Sequence, residues 1–552
     1  MNIRAGGLAA ALAIGPSAWG APTVATLDVP GPPAFVAAAR DVTAAAFAVD
    51  PSLAANAGLF DDAMAVPHYD RRSVRALVKR LDRDLKQLER LDWDALDPHT
   101  QVDVRWVYAV AETTRRALVE ERLYVHRPAQ WLEPVANTLI ALGSYAPGRP
   151  ELQDRVLVQV PAMLDDARAQ CTEPTRRDVQ TAVELTQALA AIARTRDLPD
   201  VAEALLAYEQ ELQQLTPAEE YRVIGAENYA WRLEHTMLLP WTPAELDQRA
   251  RQALAEVDAR LAELPALEPV TPTPEQTALG EALDRDGLLA LYDAIEEAHR
   301  AATIAGGWVT VPEEVGPVRA RETPDAMAPL TGDGGSMNPP PTFGDSTVGY
   351  WNVEKFRSEW TVEERAVKVA TAQGFLENRM GPYSAHEGFP GHHLQLAIAR
   401  LNPDPLRSIL PDPLQNEGWG LYAEEAFLAH GGLGDSALAQ ANVLRSYRFR
   451  ILRVPVDVAV ETGQWTLEQA AEFKYGPGGE VDADVLRAIH WPTQLVCYFA
   501  GKAQIVALRD EWKARNPTGT EREFHDAFLQ AGSIPISLIR AELLGEPVPP
   551  LR

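Results

Sequence analysis

Cysteine is scarce in this sequence of 552 residues, and long apolar runs are scarce too. Cys171 and Cys497 are its two cysteines. In an exported chain they could form one disulfide, or both could be buried and unpaired; neither lies in a motif that would make it a nucleophile. The apolar run near the start, residues 6–14, is too short to cross a bilayer as a helix. We therefore expect no integral membrane segment in the mature protein.

Positive charge is also in deficit. Asp and Glu number 78 against 51 Lys and Arg, which gives a net charge of −27. Nucleic acids and anionic membrane surfaces are poor partners for such a chain, because they repel it. A repeat of fixed period is absent as well, which disfavours a solenoid.

The N-terminus has the composition of a targeting segment. Arg4 supplies a positive charge, residues 6–14 are apolar, and Ala18-Trp19-Gly20 offers small residues around a cleavage point. We expect residues 1–20 to be a signal peptide and the protein to be exported to a bacterial periplasm or secreted. Because no cysteine follows the segment, a lipid-anchored form is not indicated. The alternative is a disordered cytoplasmic N-terminus.

The sequence from about 35 to 305 has the period of amphipathic helices. Residues 72–91, for example, place valine and leucine three and four positions apart on one face. Thr242-Pro243 is typical of a helix start. Helical patterns return after residue 361. These patterns predict a mainly α fold.

The composition changes between about 306 and 354. Residues 308–311 and 348–353 have strand propensity, and a loop rich in Gly, Asp and Pro separates them. We expect a small β element beside the active-site cleft. Residues 349–353 could pair with an extended peptide, or the element could be a plain hairpin.

The predicted organisation has two parts after the signal peptide. A helical N-terminal region (21–305) would pack against a catalytic, metal-binding region (306–552). The site would then lie in a cleft or channel between them.

The clearest chemical signal is His-Glu-Gly-Phe-Pro-Gly-His-His at residues 386–393, followed by Glu417. Catalytic zinc usually has three protein ligands, histidine nitrogens or carboxylate oxygens, and keeps one position for water. His386 as a ligand beside Glu387 as general base is the arrangement that zinc peptidases use. Glu417, 31 positions after His386, is placed to be a carboxylate ligand on a second helix. The sequence therefore predicts a zinc site.

Two histidines compete for the remaining ligand position. On an unbroken helix, His393 would share a face with His386 but lie a turn too far along for one small ion, whereas His392 would point to another side. Pro390 disrupts a helix interior, so a bulge or break there could return His392 to His386. We favour His392 as the ligand and keep His393 as a residue beside the ligands or the substrate.

Residues 382–395 and 417–424 resemble the bacterial domain of unknown function 885 family, which is grouped with helical, gluzincin-like zinc peptidases. The resemblance covers roughly residues 35–545. The family pattern His-Glu-x-x-Pro-Gly-His is variable at its next position, which favours His392 over His393. The resemblance implies a large helical zincin-like fold, Zn²⁺ as the cofactor and peptidase activity.

The chain departs from that family pattern in two places. Relatives tend to have Gly-x-His after an aspartate, where this chain has Ala459-Val460-Glu461. They tend to have Arg-Tyr before a late Pro-Gly-Gln, where it has Arg487-Ala488. The predicted metal ligands are unaffected, but a substrate preference does not carry over from relatives.

Further residues are candidates for supporting roles. Tyr498, or else Tyr383, could donate a hydrogen bond to the oxygen that becomes negative during hydrolysis. Arg487 could hold a substrate carboxylate. Glu424, seven residues after Glu417, could accept the second ring N–H of a liganding histidine. Each has a structural alternative: a core tyrosine, an ordinary ion pair or a solvated glutamate.

These observations predict an exported zinc hydrolase, a metallopeptidase that cleaves short peptides or other amides. His386, His392 and Glu417 would bind Zn²⁺, and Glu387 would activate water. Two other classes stay open. A non-haem iron oxygenase also uses two histidines and one carboxylate, and the protein could bind metal or peptide without catalysis. The sequence does not constrain the oligomeric state.

Overall fold

A computed structural model describes residues 23–331 and 334–551. The predicted signal peptide lies outside the described residues. The helices of the first half are α1 (Pro33–Val49), α2 (Pro51–Ala57), α3 (Arg71–Leu88), α4 (Pro98–Arg116), α5 (Ala129–Tyr145), α6 (Glu151–Leu157), α7 (Val160–Gln170), α8 (Arg176–Thr195), α9 (Pro199–Gln214), α10 (Gly225–Trp231), α11 (Pro243–Leu261), α12 (Pro274–Ala282) and α13 (Arg285–Gly306). Single π-helical turns follow α4 and α10, at Ala117–Glu121 and Arg232–Thr236.

The second half contains a small sheet and the remaining helices. Its strands are β1 (Val318–Glu322), β2 (Ser336–Asn338) and β3 (Gly349–Val353). Its helices are α14 (Ala328–Thr331), α15 (Val362–Gln373), α16 (Met380–Glu387), α17 (His392–Ala399), α18 (Leu406–Ile409), α19 (Pro413–Ala429), α20 (Ala437–Glu461), α21 (Leu467–Tyr475), α22 (Ala483–His490), α23 (Cys497–Arg515), α24 (Glu521–Gln530) and α25 (Ile536–Leu544). The expected mainly α fold with a small β element at 306–354 is confirmed.

Helix starts are encoded by local capping. At the predicted start of α11, the Thr242 hydroxyl accepts a hydrogen bond from the Glu245 backbone N–H, and the Glu245 carboxylate accepts one in return from the Thr242 N–H. Such reciprocal boxes satisfy two N–H groups that an isolated helix end leaves unpaired. Asp412 and Ser436 cap α19 and α20 by single bonds of the same kind. The two helices that flank the candidate site therefore have fixed starting points.

The sheet differs from the expected hairpin. β3 is central: it pairs in parallel with β1, Val318 opposite Gly349, and antiparallel with β2, Ser336 opposite Asn352. The strand at 349–353 was correctly placed, but both of its edges are already paired within the sheet. The hypothesis that it pairs with an extended peptide is therefore wrong.

The predicted strand at 308–311 is also wrong, since this segment is irregular. Its backbone hydrogen bonds go to side chains of α24 instead of a neighbouring strand. The His525 ring lies 2.8 Å from the Trp308 carbonyl oxygen, and the Thr310 N–H donates to the Asp526 carboxylate at 2.8 Å. Strand propensity alone does not supply a strand partner.

The core is continuous across the two halves of the chain. One cluster of buried apolar side chains runs from Val24 to Val548, and Trp131, Trp351 and Trp419 are among its largest fully buried members. α19 packs along α23, and α20 packs against α11. Of these helices, α19, α20 and α23 contribute residues to the candidate site.

Two simpler expectations concern membranes and cysteines. Within the described ranges, each helix lacks the combination of length and apolar character that crossing a bilayer requires. Cys171 and Cys497 are not bonded to each other. Burial raises the pKa of the Cys171 thiol to about 12, so it is not activated as a nucleophile.

Candidate metal centre

The His-Glu motif lies at the end of a helix, followed by a sharp turn. α16 ends at Glu387, residues 388–391 form the turn with a cis bond before Pro390, and α17 begins at His392. A Cβ added to Gly391 would lie 2.0 Å from the His386 carbonyl oxygen, so only glycine permits this close return of the chain. His392 therefore does not occupy the sixth position of a continuous helix, and its ring returns to His386.

A second close approach brings in α19. A Cβ added to Gly420 would lie 2.7 to 3.0 Å from atoms of the His386 ring. This missing side chain lets α19 pass directly beside α16. Glu417, one turn earlier on α19, thereby reaches both histidines.

The three side chains converge on one point. The Glu417 Oε2 atom lies 3.4 Å from His386 Nε2 and 3.3 Å from His392 Nε2, and candidate ligand atoms of the three residues all lie within 4.8 Å of one another. Ligands about 2.1 Å from a tetrahedral zinc are separated by roughly 3.4 Å. The donor set of two imidazoles and one carboxylate therefore fits a zinc ion.

The electrostatics of the cluster also favour a cation. Burial opposes the charge of His386, but Glu417 and Glu424 outweigh it and raise the pKa of His386 to about 9. Burial likewise opposes the charge of Glu417, yet hydrogen bonds from His386 and His392 hold its pKa well below the usual range. A buried, ionised carboxylate requires positive charge beside it.

Outer contacts orient two of the three candidate ligands, whereas the buried Nδ1 atom of His392 has no hydrogen-bond partner among the described residues. The Glu424 Oε1 atom lies 3.0 Å from His386 Nδ1, which directs Nε2 towards Glu417. The Gln494 side-chain amide donates to Glu417 Oε1 at 3.1 Å, and the Trp419 indole N–H donates to the Pro390 carbonyl at 3.0 Å. Outer partners of this kind fix both tautomer and ring orientation in metal sites.

His393 faces away from the cluster. Its Nε2 atom lies 2.9 Å from the Gly316 carbonyl oxygen, and its ring packs edge-on against Phe389. Burial lowers its pKa to about 4, so the ring is neutral near pH 7. The structure therefore places His392, and not His393, with His386 and Glu417.

Glu387 faces an open cavity with no hydrogen-bond or ion-pair partner among the described residues. The Glu296 carboxylate, behind the turn, accepts the Phe389 N–H at 3.2 Å. Burial raises the pKa of Glu296 well above its usual range, so this neighbour is neutral and adds no negative charge beside Glu387. Glu387 is thus available as a general base.

The cavity has a volume of about 920 Å³, and it is lined in part by His386, His392 and Glu417, which together form the ligand cluster. β2, which is an edge strand within the described part of the chain, lines the cavity, and α20 and α22 contribute to its wall. Tyr383 lines it beside Trp351, and burial raises its pKa. A cavity of this size admits a few amino-acid residues.

Tyr498 lies against the ligand cluster. Its ring stacks on the His386 ring, with 6.0 Å between centroids. Its hydroxyl accepts hydrogen bonds from Arg487 at 3.1 Å and Gln494 at 3.2 Å. Because these two bonds use the oxygen's acceptor capacity, the phenolic proton is left for a third group. Arg487 also lies 3.7 Å from the Asp484 carboxylate, so it has the ordinary ion pair that was the alternative to holding a substrate carboxylate.

Sequence reasoning did not identify three residues of this site: Glu296, Gln494 and Arg450. Glu296 is a carboxylate on the buried face of α13, which is itself a signal of a special role. Gln494 precedes Tyr498 by four residues, but its contact with Glu417 joins distant segments. Arg450 lies on the cavity wall of α20, where only the tertiary packing reveals its environment.

Comparison with known proteins supports the family resemblance. A family described as "Bacterial protein of unknown function (DUF885)" matches residues 51–543. No curated protein matches the chain.

Two solved structures share the fold. A protein described as a "putative lipoprotein of unknown function", from Shewanella oneidensis, is 17% identical with a TM-score of 0.69; the alignment covers 92% of this chain and 99% of that one. A protein from Colwellia psychrerythraea, described as a "putative lipoprotein", is 18% identical with a TM-score of 0.67; the alignment covers 93% of this chain and 99% of that one. Their bacterial origin and description are compatible with an exported protein.

Proposed function

The chain belongs to the bacterial family of unknown function DUF885, and we propose that it is a zinc-dependent hydrolase that cleaves amide bonds in short peptides. The observation that carries this proposal is the position of Glu387. Its carboxylate has no hydrogen-bond or ion-pair partner among the described residues, and it lines a cavity together with a cluster of two histidines and a glutamate. Oxygen-activating iron sites need open coordination positions but no such base.

His386, His392 and Glu417 would hold the ion. Zinc supplies Lewis acidity, which lowers the pKa of a water molecule towards about 7 and polarises a carbonyl group. Glu424 and Gln494 would keep His386 and Glu417 oriented.

The chain's own groups account for the proton movements. Glu387 would take a proton from the attacking water, whose oxygen joins the acyl carbon, and would deliver that proton to the departing amine nitrogen as the C–N bond breaks. Tyr498 would donate its free O–H to the oxygen that becomes negative. The products are a carboxylic acid and an amine, so one water is consumed for each bond.

The cavity's dimensions favour short, extended substrates over folded proteins. Its volume of about 920 Å³ holds only a few residues. Longer chains would have to leave through the opening.

A digest of a mixed peptide library by zinc-loaded protein, followed by mass spectrometry, tests the activity. We expect cleavage products from the wild type and none from Glu387→Gln, with zinc content equal in both. An equally active Glu387→Gln variant would contradict the assigned base. Stoichiometric iron without zinc in the purified protein would instead support an oxygenase. Bound metal without turnover of any peptide would support a binding protein.

We also propose export to the periplasm or beyond, on the basis of Arg4 and the apolar run that follows it. Fractionation of cells that express the full chain, with N-terminal sequencing of the product, tests this. We expect a mature form that begins near residue 21. Full-length protein in the cytoplasm would contradict export.

A further inference from the structure

Basic side chains are concentrated around the cavity, although the whole chain carries a net charge of −27. The basic residues that line the cavity are Lys368, Arg379, Arg445, Arg450, Arg453 and Arg487. Three of them pair with a carboxylate: Lys368 with Glu354, and both Arg453 and Arg487 with Asp484. The other three have no carboxylate within ion-pair distance among the described residues.

Two of these three arginines lie on one helix and are partly enclosed. Arg445 and Arg450 belong to the face of α20 that forms the cavity wall. Arg445 donates through Nη2 to the Pro265 carbonyl, and Arg450 through Nη1 to the Ser446 hydroxyl at 3.0 Å. Arg445 Nη1 and Arg450 Nε, like Nε of the paired Arg487, are buried and have no hydrogen-bond partner in the described part of the chain. Burial lowers the pKa of Arg445, with no acidic neighbour to offset the effect. Buried guanidinium N–H groups without acceptors are costly unless a ligand supplies the acceptor.

The carboxylates of this wall are already engaged. Asp484 is held by Arg453 and Lys474. Asp482 accepts the Tyr475 hydroxyl at 2.6 Å and the Val485 N–H at 2.9 Å. No acid of the wall can therefore serve Arg445 or Arg450, and an anion from outside can.

Arg450 is close to the proposed reaction centre. Its Cζ atom lies 5.9 Å from the centroid of the Tyr498 ring, and that ring stacks on His386 at 6.0 Å. A single aromatic ring thus separates Arg450 from the ligand cluster. These two distances place Arg450 no more than about 12 Å from the His386 ring. The contacts at the two ends of a bound peptide, one to the guanidinium group and one to the ligand cluster, occupy about half of that length. Because an extended peptide advances about 3.4 Å for each residue, one or two residues span the remainder.

We infer that Arg450, assisted by Arg445, binds the C-terminal carboxylate of the substrate, so that the protein removes one or two residues from the C-terminal end of short peptides. Arginine suits this role, since its planar N–H groups match the two oxygens of a carboxylate. The inference rests on the proposed hydrolase function. It defines the substrate class as peptides with a free C-terminus.

Matched peptides test the inference with wild-type protein. N-acetylated pentapeptides that end in a free carboxylate or in a carboxamide are digested in parallel, with a third series that carries Glu or Gln before an amidated end. We expect the free acids to be cleaved with kcat/KM at least about 10-fold to 100-fold higher than the amides, the range for one hydrogen-bonded charge. Cleavage should fall within two residues of the C-terminus.

Variants locate the effect. Arg450→Ala should raise KM for the free acids by a similar factor, leave the amides within about twofold, and be partly rescued by Arg450→Lys. Arg448→Ala is the matched control, because Arg448 lies on the same helix but pairs with Asp258 outside the cavity. Equal loss of kcat for acids and amides in Arg450→Ala would overturn the inference and assign Arg450 to the chemical step.

Other outcomes separate this inference from the proposed function. If the wild type cleaves acids and amides equally, the C-terminal carboxylate site is overturned but the hydrolase proposal is not. If amidated peptides with Glu are preferred over those with Gln, the arginines bind an acidic side chain and not the C-terminus. Zinc-loaded Glu387→Gln protein allows the same comparison by calorimetric binding. If no peptide is cleaved, the hydrolase proposal fails, and tighter binding of free acids than of amides would still identify a carboxylate site.

Discussion

Glu424 determines which nitrogen of His386 faces the ligand cluster. Its carboxylate lies 3.0 Å from Nδ1 and is almost fully buried, so the imidazole has one favoured tautomer and orientation. A ring without this partner could rotate away. Each rotated state would have to be reversed before a metal binds.

Replacing Glu424 should therefore weaken zinc binding. We expect Glu424→Ala to raise the zinc dissociation constant by about 10-fold to 100-fold, and Glu424→Gln to raise it less. Competition with a chromogenic chelator measures the constant. Glu425→Ala is the control, because that neighbouring carboxylate pairs with Lys502 and not with His386. Equal affinities in the Glu424 and Glu425 variants would contradict an orienting role.

The phenol of Tyr498 is the other residue-scale prediction. Tyr498→Phe removes the O–H but keeps the ring stacked on His386, so we expect kcat to fall by about 10² to 10³ with KM and zinc content little changed. Steady-state kinetics on any peptide identified in the library digest measure kcat and KM separately. Tyr383→Phe, which alters another phenol of the cavity, serves for comparison. A rise in KM alone would show that Tyr498 contributes to binding only.

At the scale of elements, the turn between α16 and α17 controls the site. The turn reverses the chain within residues 388–391, and its tightness depends on the contact between Gly391 and the His386 carbonyl. The ligand geometry is thus a property of the backbone as well as of the side chains.

A methyl group at Gly391 should open this turn. We expect Gly391→Ala to lower the free energy of unfolding by roughly 2 to 4 kcal/mol, since the added Cβ meets backbone that cannot move aside cheaply, and to abolish tight zinc binding. Denaturant unfolding and metal analysis measure the two effects. Gly148→Ala is the control, because its Cβ would meet no atom within 4 Å. Unchanged stability and zinc content in Gly391→Ala would refute the role of this contact.

Elements differ in how far the sequence predicts them. The apolar period and the capping residues of a helix are properties of the local sequence, so the sequence predicts α3 and the start of α11. It likewise predicts the break at Pro390. Strands depend on distant partners. β1 and β2 carry no distinctive pattern, and residues 308–311 have strand propensity but bond to α24 instead. The candidate site divides in the same way. Glu387 and Glu417 are predicted by the local motif, whereas the contacts of Glu296, Gln494 and Arg450 join distant segments and are seen only in the tertiary structure.

At the scale of the whole molecule, buried polar contacts join the N-terminal helices to α20. The Tyr229 hydroxyl donates to Asp457 at 2.8 Å, and the Ile224 N–H donates to Glu461 at 2.9 Å. Burial raises the pKa of Asp457 to about 7, although the bond from Tyr229 acts in the opposite direction. Folding therefore favours the protonated acid at this junction.

This junction predicts a pH dependence of stability. The folded protein holds the Asp457 proton more tightly than the unfolded chain, so this contribution is complete below about pH 4 and is lost as the pH rises to about 7. The Asp457→Asn variant has no ionisable group at this position, so its stability does not fall in this way as the pH rises. We expect the variant to gain on the order of 4 kcal/mol relative to wild type between pH 4 and pH 8.

Denaturant unfolding of both proteins across this range measures the difference. Asp286→Asn, at an exposed aspartate of α13, is the control and should show a constant offset from wild type. A constant offset for Asp457→Asn as well would contradict the raised pKa of Asp457.

The bond from the Trp419 indole to the Pro390 carbonyl ties the helix that carries Glu417 to the turn that positions His392. Gathering the ligands is therefore part of folding, and metal capture requires almost no further loss of conformational entropy. Chelation should leave the tryptophan near-ultraviolet circular dichroism unchanged, and zinc should raise stability only by mass action. The metal-free protein would then bind zinc without a conformational change, at a rate limited by the concentration of free ions.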